Sequence, residues 1–280
     1  MPRSANKEHL HLYPQRIDRY AEFPSVYLDR KVILEVFLPP NYDQLDEPCD
    51  LLLFNDGQQS LRMRFDDTLT RLHRNGEIRP LIVAAIHAGH DRVNEYGAAA
   101  MSDYAHRGNK AAGYTYFIIH ELLPFLEGQY NVYKSAAHRG FAGFSLGGLS
   151  AFDIVWHYPH LFQTAGIFSG SFWWRKKALD GGYSDDDRIM HRLVKAGGFH
   201  PDMKLWFSAG TEEEKEDRNQ NGIIDVIDDI LDLMNELRGL GFEDHQMVYH
   251  QSDGGQHNEE TWSHVFPLFL KWAYGVKVNS

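Results

Sequence analysis

Apolar residues fall along this chain in two rhythms, and the rhythms alternate. Leu51-Leu52-Leu53-Phe54 and Leu81-Ile82-Val83-Ala84-Ala85-Ile86 are short unbroken apolar runs, the pattern of strands buried on both faces of a parallel sheet. Val26-Tyr27-Leu28 and 32–38 are β-rich, the second run ending at Pro39-Pro40, and residues 164–168, 203–207 and 246–251 read as further strands. Between them the spacing turns helical. A helix is expected from Gln58 to about Gly76, another over 116–126, one from Leu149 through Trp156 that Tyr158-Pro159 stops, and others over 186–196 and 259–274. Ile223, Ile227, Ile230, Leu231, Met234 and Leu237 share one face of a helix that Gly239 and Gly241 close. Strands alternating with helices predict an α/β fold, a mostly parallel twisted sheet with helices on both faces. Residues 1–22 are polar and predict an arm or a covering edge, and 23–280 read as a single domain.

Composition narrows what such a fold can do. A formal charge of −11 argues against nucleic acid or an anionic membrane as partner. Cys49 is the single cysteine, so no intrachain disulfide can form. No run of eighteen apolar residues is present, and the opening Met-Pro-Arg-Ser-Ala-Asn-Lys-Glu lacks the apolar stretch of a signal peptide, so a cytoplasmic location is expected. Oligomeric state is not legible.

The chemistry points to 139–150. Gly143-Phe144-Ser145-Leu146-Gly147 is a G-x-S-x-G sequence between a short buried strand ending at Phe141-Ala142 and a helix. In such an elbow the serine stands at the tip of a strained strand-to-helix turn, and glycines flank it because a Cβ would collide there. A serine hydroxyl needs a histidine to take its proton and a carboxylate to orient that histidine. The base should lie between the last strand and the last helix, where His257 stands in Ser252-Asp253-Gly254-Gly255-Gln256-His257-Asn258; His250 and His264 fall inside elements. The acid should follow the strand 203–207, where Glu212, Glu213, Glu214 and Asp217 crowd one loop, and spacing does not choose among them. Two backbone amides should hold the oxyanion, that of Leu146 after the serine and that of Gln58 after the strand 51–54. Arg92 and Arg107, in the long loop 88–112, are candidates to meet a substrate carboxylate or else a loop carboxylate such as Glu95. Phe172-Trp173-Trp174 is a pocket wall or core; Trp173 and Trp174 are the substrate-binding candidates.

Several ordered motifs together resemble the putative-esterase branch of the α/β hydrolases, which holds ferric enterochelin esterases, S-formylglutathione hydrolases, feruloyl esterases and mycolyltransferases. They are Asp56-Gly57-Gln58, Arg92-x-x-Glu95-Tyr96, Glu121-Leu-Leu-Pro-Phe125 with Tyr130, Gly143-Phe-Ser-Leu-Gly-Gly148, Ser169-Gly-Ser-Phe-Trp-Trp174, and Gly255-Gln-His257 with Trp262. The first and fifth are most similar to the enterochelin-esterase side. The resemblance runs from about residue 30 to 275 and implies the α/β-hydrolase fold, a serine esterase, and no cofactor for catalysis. It also implies that the acid lies three residues after Gly210, at Glu213, where an aspartate is commoner. Acyl transfer to an alcohol and a non-catalytic binding protein of the same fold are the other readings. The substrate class is a small-molecule ester of unspecified kind.

One stretch stands outside that chemistry. Asp217-Arg-Asn219-Gln-Asn221-Gly222-Ile223-Ile-Asp225-Val-Ile-Asp228 fits the calcium-loop pattern D-x-[DN]-x-[DN]-G with an acid at the twelfth position. Asp217, Asn219, Asn221, Asp225 and Asp228 supply side-chain oxygens and Ile223 its carbonyl. The expectation is a structural calcium that pins the loop carrying Glu213.

Overall fold

The computed structural model describes residues 16–276. Its strands are β1 (Arg16–Ser25), β2 (Arg30–Leu38), β3 (Asp50–Asn55), β4 (Leu81–Ile86), β5 (Arg139–Phe144), β6 (Thr164–Phe168), β7 (Lys204–Gly210) and β8 (Met247–Ser252). They form one eight-stranded sheet in the order β1-β2-β4-β3-β5-β6-β7-β8. Pairing is antiparallel for β1–β2 and β2–β4 and parallel from β4 onward to β8. The helices are α1 (Phe65–Arg74), α2 (Arg92–Glu95), α3 (Ala111–Phe117), α4 (Leu123–Gln129), α5 (Leu146–His157), α6 (Ile189–Lys195), α7 (Asp225–Leu240) and α8 (Glu259–Tyr274).

The unbroken apolar runs are explained by the layers. Side chains alternate across a strand, so in β3 Leu51 and Leu53 enter the core on one face, and Leu52 and Phe54 the core on the other. In β4, Ile82, Ala84 and Ile86 take the first face, and Leu81, Val83 and Ala85 the second. The first face packs under α3 to α7, through Phe117, Leu149, Val194 and Ile230 among others. The second packs under α1 and α8, where Phe65 stacks on Phe266 at 4.5 Å. With an apolar layer on each side, the sheet has no solvent face at its centre, and polar residues at mid-strand would be costly.

Four local expectations change. Val26-Tyr27-Leu28 is not a strand: these residues form the turn between β1 and β2, with Val26 at 87% exposure and Asp29 at φ 49°. Residues 16–22 belong to β1, a half-exposed edge strand with a bulge between Tyr20 and Phe23, so this part of the expected arm is a covering edge; residues 1–15 lie outside the described residues. A bulge and charged side chains are how an exposed edge avoids further pairing. The helix expected over 116–126 runs from Ala111 to Gln129 with a π-helical segment, Ile118–Leu122, in its middle. Pro124 lacks an N–H for the regular ladder, and a wider turn just before it absorbs the mismatch. Ile223 lies before α7 and is exposed, so the apolar stripe of that helix begins later, at Val226 and Ile227.

Candidate active site

All the chemistry-bearing loops leave the carboxyl ends of β3, β5, β6, β7 and β8, the side on which ligands bind in parallel sheets. Ser145 joins β5 to α5 with φ 55° and ψ −128°, a backbone conformation that costs a non-glycine residue of order 1–3 kcal/mol. Hydrogen bonds over-determine it. The Ser145 N–H donates to the Phe168 carbonyl at 2.9 Å, and its carbonyl accepts from Gly148, Leu149 and Ser171 N–H groups at 3.1, 3.1 and 3.2 Å. The flanking glycines leave no room for a side chain: a Cβ on Gly143 would lie 2.6 Å from the Gly147 carbonyl carbon, and one on Gly147 would lie 2.8 Å from Asp56 Oδ2. Behind the elbow, Asn55 donates to the Gly147 carbonyl at 2.7 Å and accepts from the Tyr114 hydroxyl at 2.5 Å.

Glu213 and His257, the expected acid and base, meet because two loops are fastened together. Gly210 at the end of β7 touches Gly255, where a Cβ would stand 2.2 Å from the Gly255 oxygen. The Glu212 N–H donates to that same oxygen at 2.8 Å, and the Gly254 N–H to Thr211 Oγ1 at 2.8 Å. Across this seam His257 Nδ1 lies 2.8 Å from Glu213 Oε2. The Glu213 side chain is 1% exposed, and its other oxygen accepts from the Ser169 hydroxyl at 2.5 Å and the Gly210 N–H at 2.6 Å. The neighbouring acids are otherwise engaged. Glu212 is exposed, Glu214 accepts from the Val226 N–H at 2.6 Å at the start of α7, and burial pushes the Glu214 carboxyl up. Asp217 accepts from Asn221 and Gly222 N–H groups.

An acceptor carboxylate at Nδ1 puts the proton on that nitrogen and leaves Nε2 of a neutral His257 as the basic atom. Ser145 Oγ lies 3.5 Å from Ser171 Oγ, and no hydrogen bond joins it directly to His257 among the described residues. Resting sites are commonly looser than reacting ones.

The two amides expected to hold the oxyanion belong to residues at element starts. Leu146 is the first residue of α5, where an N–H has no intrahelical acceptor. Gln58 follows Asp56, which takes φ 60° to turn the chain out of β3. The Gln58 side chain donates to Asp56 Oδ1 at 3.0 Å and accepts from the Ala88 N–H at 2.9 Å, pinning this loop to the end of β4.

The expected substrate contacts are redistributed. Arg92 grips the buried Asp56 with two hydrogen bonds, Nε to Oδ1 at 2.6 Å and Nη2 to Oδ2 at 2.7 Å, so its partner is a loop carboxylate that supports Gln58. Burial pulls the Arg92 guanidinium down, but the bonds to Asp56 outweigh it and hold the group above its ordinary value. Glu95, the alternative partner, is held by Arg30 at 2.7 Å. Arg107 is likewise paired, with the buried Asp103. Trp174 is fully buried against Gly97 and Gly108 and is core; Trp173 is half-buried with Arg107 4.8 Å above its ring. Sequence reasoning missed Arg175, which lies between the rings of Tyr104 and Tyr183 at 5.3 and 5.7 Å and pairs with no carboxylate among the described residues. Ser169 and Ser171 stand out in the sequence only as parts of a motif, since no spacing links them to Glu213 or Ser145.

In the loop 217–228 Asp217, Asn219, Asn221 and Asp228 are satisfied within the loop, Asp217 by the Asn221 and Gly222 backbone N–H groups. Asn219 and Asn221 amides donate to the two oxygens of Asp228 at 2.8 and 2.9 Å, and the Ile223 N–H donates to Asn221 Oδ1 at 2.8 Å. Asp225 does not join them: it accepts from the Arg218 N–H at 2.9 Å and faces the Arg218 guanidinium at 3.4 Å. Among the described residues no group of three or more His, Cys, Asp or Glu side chains is placed to hold a metal ion.

Comparison with known proteins gives the family and the fold. The family model described as Putative esterase matches residues 25–272. The chain is 25% identical over 244 residues to the uncharacterized protein YbbA of Bacillus subtilis (strain 168), covering 86% of this chain and 91% of that protein. It is similar in structure to the enterobactin esterase FES from Shigella flexneri in the presence of enterobactin, with a TM-score of 0.71 and 19% identity over 92% of this chain. The match spans 58% of that FES chain. The BES protein from Bacillus cereus is similar with a TM-score of 0.66 and 16% identity, over 98% of this chain and 100% of that one. At these identities the structural likeness is one of fold.

Proposed function

Because the chain belongs to the Putative esterase family, we propose that it is a serine hydrolase of carboxylic esters acting through an acyl-enzyme on Ser145. His257 Nε2 takes the Ser145 proton as Oγ attacks the ester carbonyl, and Glu213 holds Nδ1 and stabilises the imidazolium that forms. The Leu146 and Gln58 amides receive the oxyanion. His257 then protonates the leaving alcohol, and water, deprotonated by the same imidazole, releases the acid. The steps draw on this chain's residues and water. Trp173, Tyr104 and Arg175 are the side chains we assign to the substrate beyond the reacting carbonyl, in place of Arg92, Arg107 and Trp174.

One observation carries the reading. A histidine on the loop after β8 bonds, at 2.8 Å, a carboxylate that is buried and doubly anchored on the loop after β7. Ser145 stands at the carboxyl end of β5, separated from β7 only by β6, so the three residues leave the same edge of the sheet.

The test is turnover of a short-chain p-nitrophenyl ester together with labelling by a serine-directed phosphonate. Ser145→Ala should lower kcat by at least about 10³-fold, retain the wild-type melting midpoint, and lose the label at that residue. An unchanged rate in this variant overturns the mechanism. Product analysis with an added alcohol separates hydrolysis from acyl transfer.

A further inference from the structure

Ser169 sits at the end of β6 with φ 52°, 1% exposed, and touches none of the atoms that would react. Its backbone N–H donates to the Ser208 carbonyl at 2.7 Å, so the conformation is held rigidly. A serine in the left-handed region costs about 1 kcal/mol or more where glycine would cost nothing. The side chain's contacts are what a glycine would lose. Trp262 Nε1 lies 2.7 Å from Ser169 Oγ, and Ser169 Oγ lies 2.5 Å from Glu213 Oε1.

The direction of these bonds is forced. An indole nitrogen only donates, so Ser169 Oγ accepts from Trp262. A carboxylate only accepts, so the one hydroxyl proton goes to Glu213. The Gly210 N–H donates to the same oxygen at 2.6 Å. Glu213 Oε1 therefore receives two donors, which restrain the carboxylate and leave Oε2 to bond His257 Nδ1 at 2.8 Å. A glutamate has one more rotatable bond than an aspartate and needs more restraint to keep a carboxylate in one orientation. Trp262 is itself immobilised, stacked on Phe144 at 4.3 Å, and its ring meets His257 edge to face at 5.1 Å.

We propose that Ser169 is a positioning residue for the acid, relaying the fixed indole N–H of Trp262 into a directed hydrogen bond that orients Glu213 toward His257. The proposal rests on the reading of His257 as the base. It assigns Trp262 a part in the site beyond filling the core between α8 and the sheet.

Four variants test it: Ser169→Gly, Ser169→Ala, Trp262→Phe, and Ser169→Gly combined with Trp262→Phe. Glycine removes the hydroxyl and relieves the backbone, so a merely structural role would leave kcat tied to the melting midpoint. The expected result for Ser169→Gly is a kcat lower by about 10–100-fold with KM within about twofold and a midpoint no lower than that of Ser169→Ala. Trp262→Phe should lose less, because Ser169 still donates to Glu213, and it should cost nothing further once Ser169 is glycine. Full multiplication of the two losses, or an unchanged kcat in both Ser169 variants, overturns the relay. A readout without turnover keeps this separate from the esterase reading. The Nδ1 proton of His257, followed by NMR in the resting protein, should be sharp and shifted downfield in the wild type and should broaden or vanish in Ser169→Gly. If Ser145→Ala leaves activity intact but this resonance responds, the esterase mechanism fails and the positioning role stands. If the resonance is indifferent to Ser169, the positioning role fails.

Discussion

Glu213 reaches His257 with a side chain one methylene longer than an aspartate's, and the chain supplies the extra restraint through Ser169 and Gly210. The choice among Glu212, Glu213, Glu214 and Asp217 was not legible from their spacing, because four carboxylates in one loop are equivalent until the backbone decides which one turns inward. Glu213→Gln should lower kcat by about 10²-fold or more, since only the orienting carboxylate also stabilises the imidazolium. Glu212→Gln and Glu214→Gln should each stay within about threefold, the latter because a glutamine oxygen can still accept from the Val226 N–H. A larger loss at either neighbour in steady-state kinetics would move the acid by one residue. Ser145 and His257, by contrast, were legible. Their positions follow from local features, an elbow with its glycines and a glycine-rich loop between a strand and a helix. The roles of Arg92 and Arg107 were not, since a loop arginine finds its carboxylate only when two distant segments pack.

At the scale of elements, the strands with unbroken apolar runs were read to within a residue or two because burial on both faces leaves no other composition open to them. The last helix, Glu259–Tyr274, was equally plain, with Asn258 accepting from the Thr261 N–H as its cap. Three of the four errors fall where burial is one-sided or absent, at β1, at the Val26 turn and at Ile223, since exposed segments carry little periodicity; the fourth is the extent and π-helical middle of the buried helix 111–129. The loop 217–228 is the element whose chemistry the sequence names most specifically and whose hydrogen bonds close on themselves. The calcium expected there is read from melting curves of protein first stripped of metal. Bound calcium raises the midpoint, by about 2.7 kcal/mol of added stability at a hundredfold excess over Kd, and chelator reverses it. An unchanged midpoint at millimolar calcium leaves the loop held by Asp217, Asn219, Asn221 and Asp228 alone.

For the whole molecule, a buried histidine contributes to the response to pH. No helix among the described residues is long and apolar enough to cross a membrane. His191 on α6 is buried against α7, with its Nε2 2.9 Å from the Asp229 carbonyl. Burial, reinforced by the positive charges of Arg188 and Arg218, pushes this imidazole down to about 3 from an ordinary 6.5, so the fold holds it neutral. Both guanidiniums are in turn paired with Asp229. The unfolded chain takes up a proton below pH 6.5 that the folded chain refuses until about pH 3. The contribution is therefore fully present above the ordinary value and is lost as pH falls through that window. In His191→Gln the melting midpoint should fall less between pH 7 and pH 4 than in the wild type. An identical fall in differential scanning calorimetry would remove His191 from the acid response.

The sequence by itself determined the layered α/β architecture, the serine at its elbow and the placing of His257 on the loop after the last strand. Each rests on residues adjacent in the chain, where apolar period, glycine placement and loop position act locally. Only the tertiary structure decided that Arg92 supports the Gln58 loop through Asp56, that Trp174 is core, and that Trp262 is linked through Ser169 to Glu213, the carboxylate the family resemblance had singled out. Those outcomes join segments that stand 36 residues apart at Arg92 and Asp56, 44 at Ser169 and Glu213, and 93 at Ser169 and Trp262. A hydrogen bond between such segments exists only after the sheet has brought the carboxyl ends of its strands side by side, and no pattern along one stretch of chain records it.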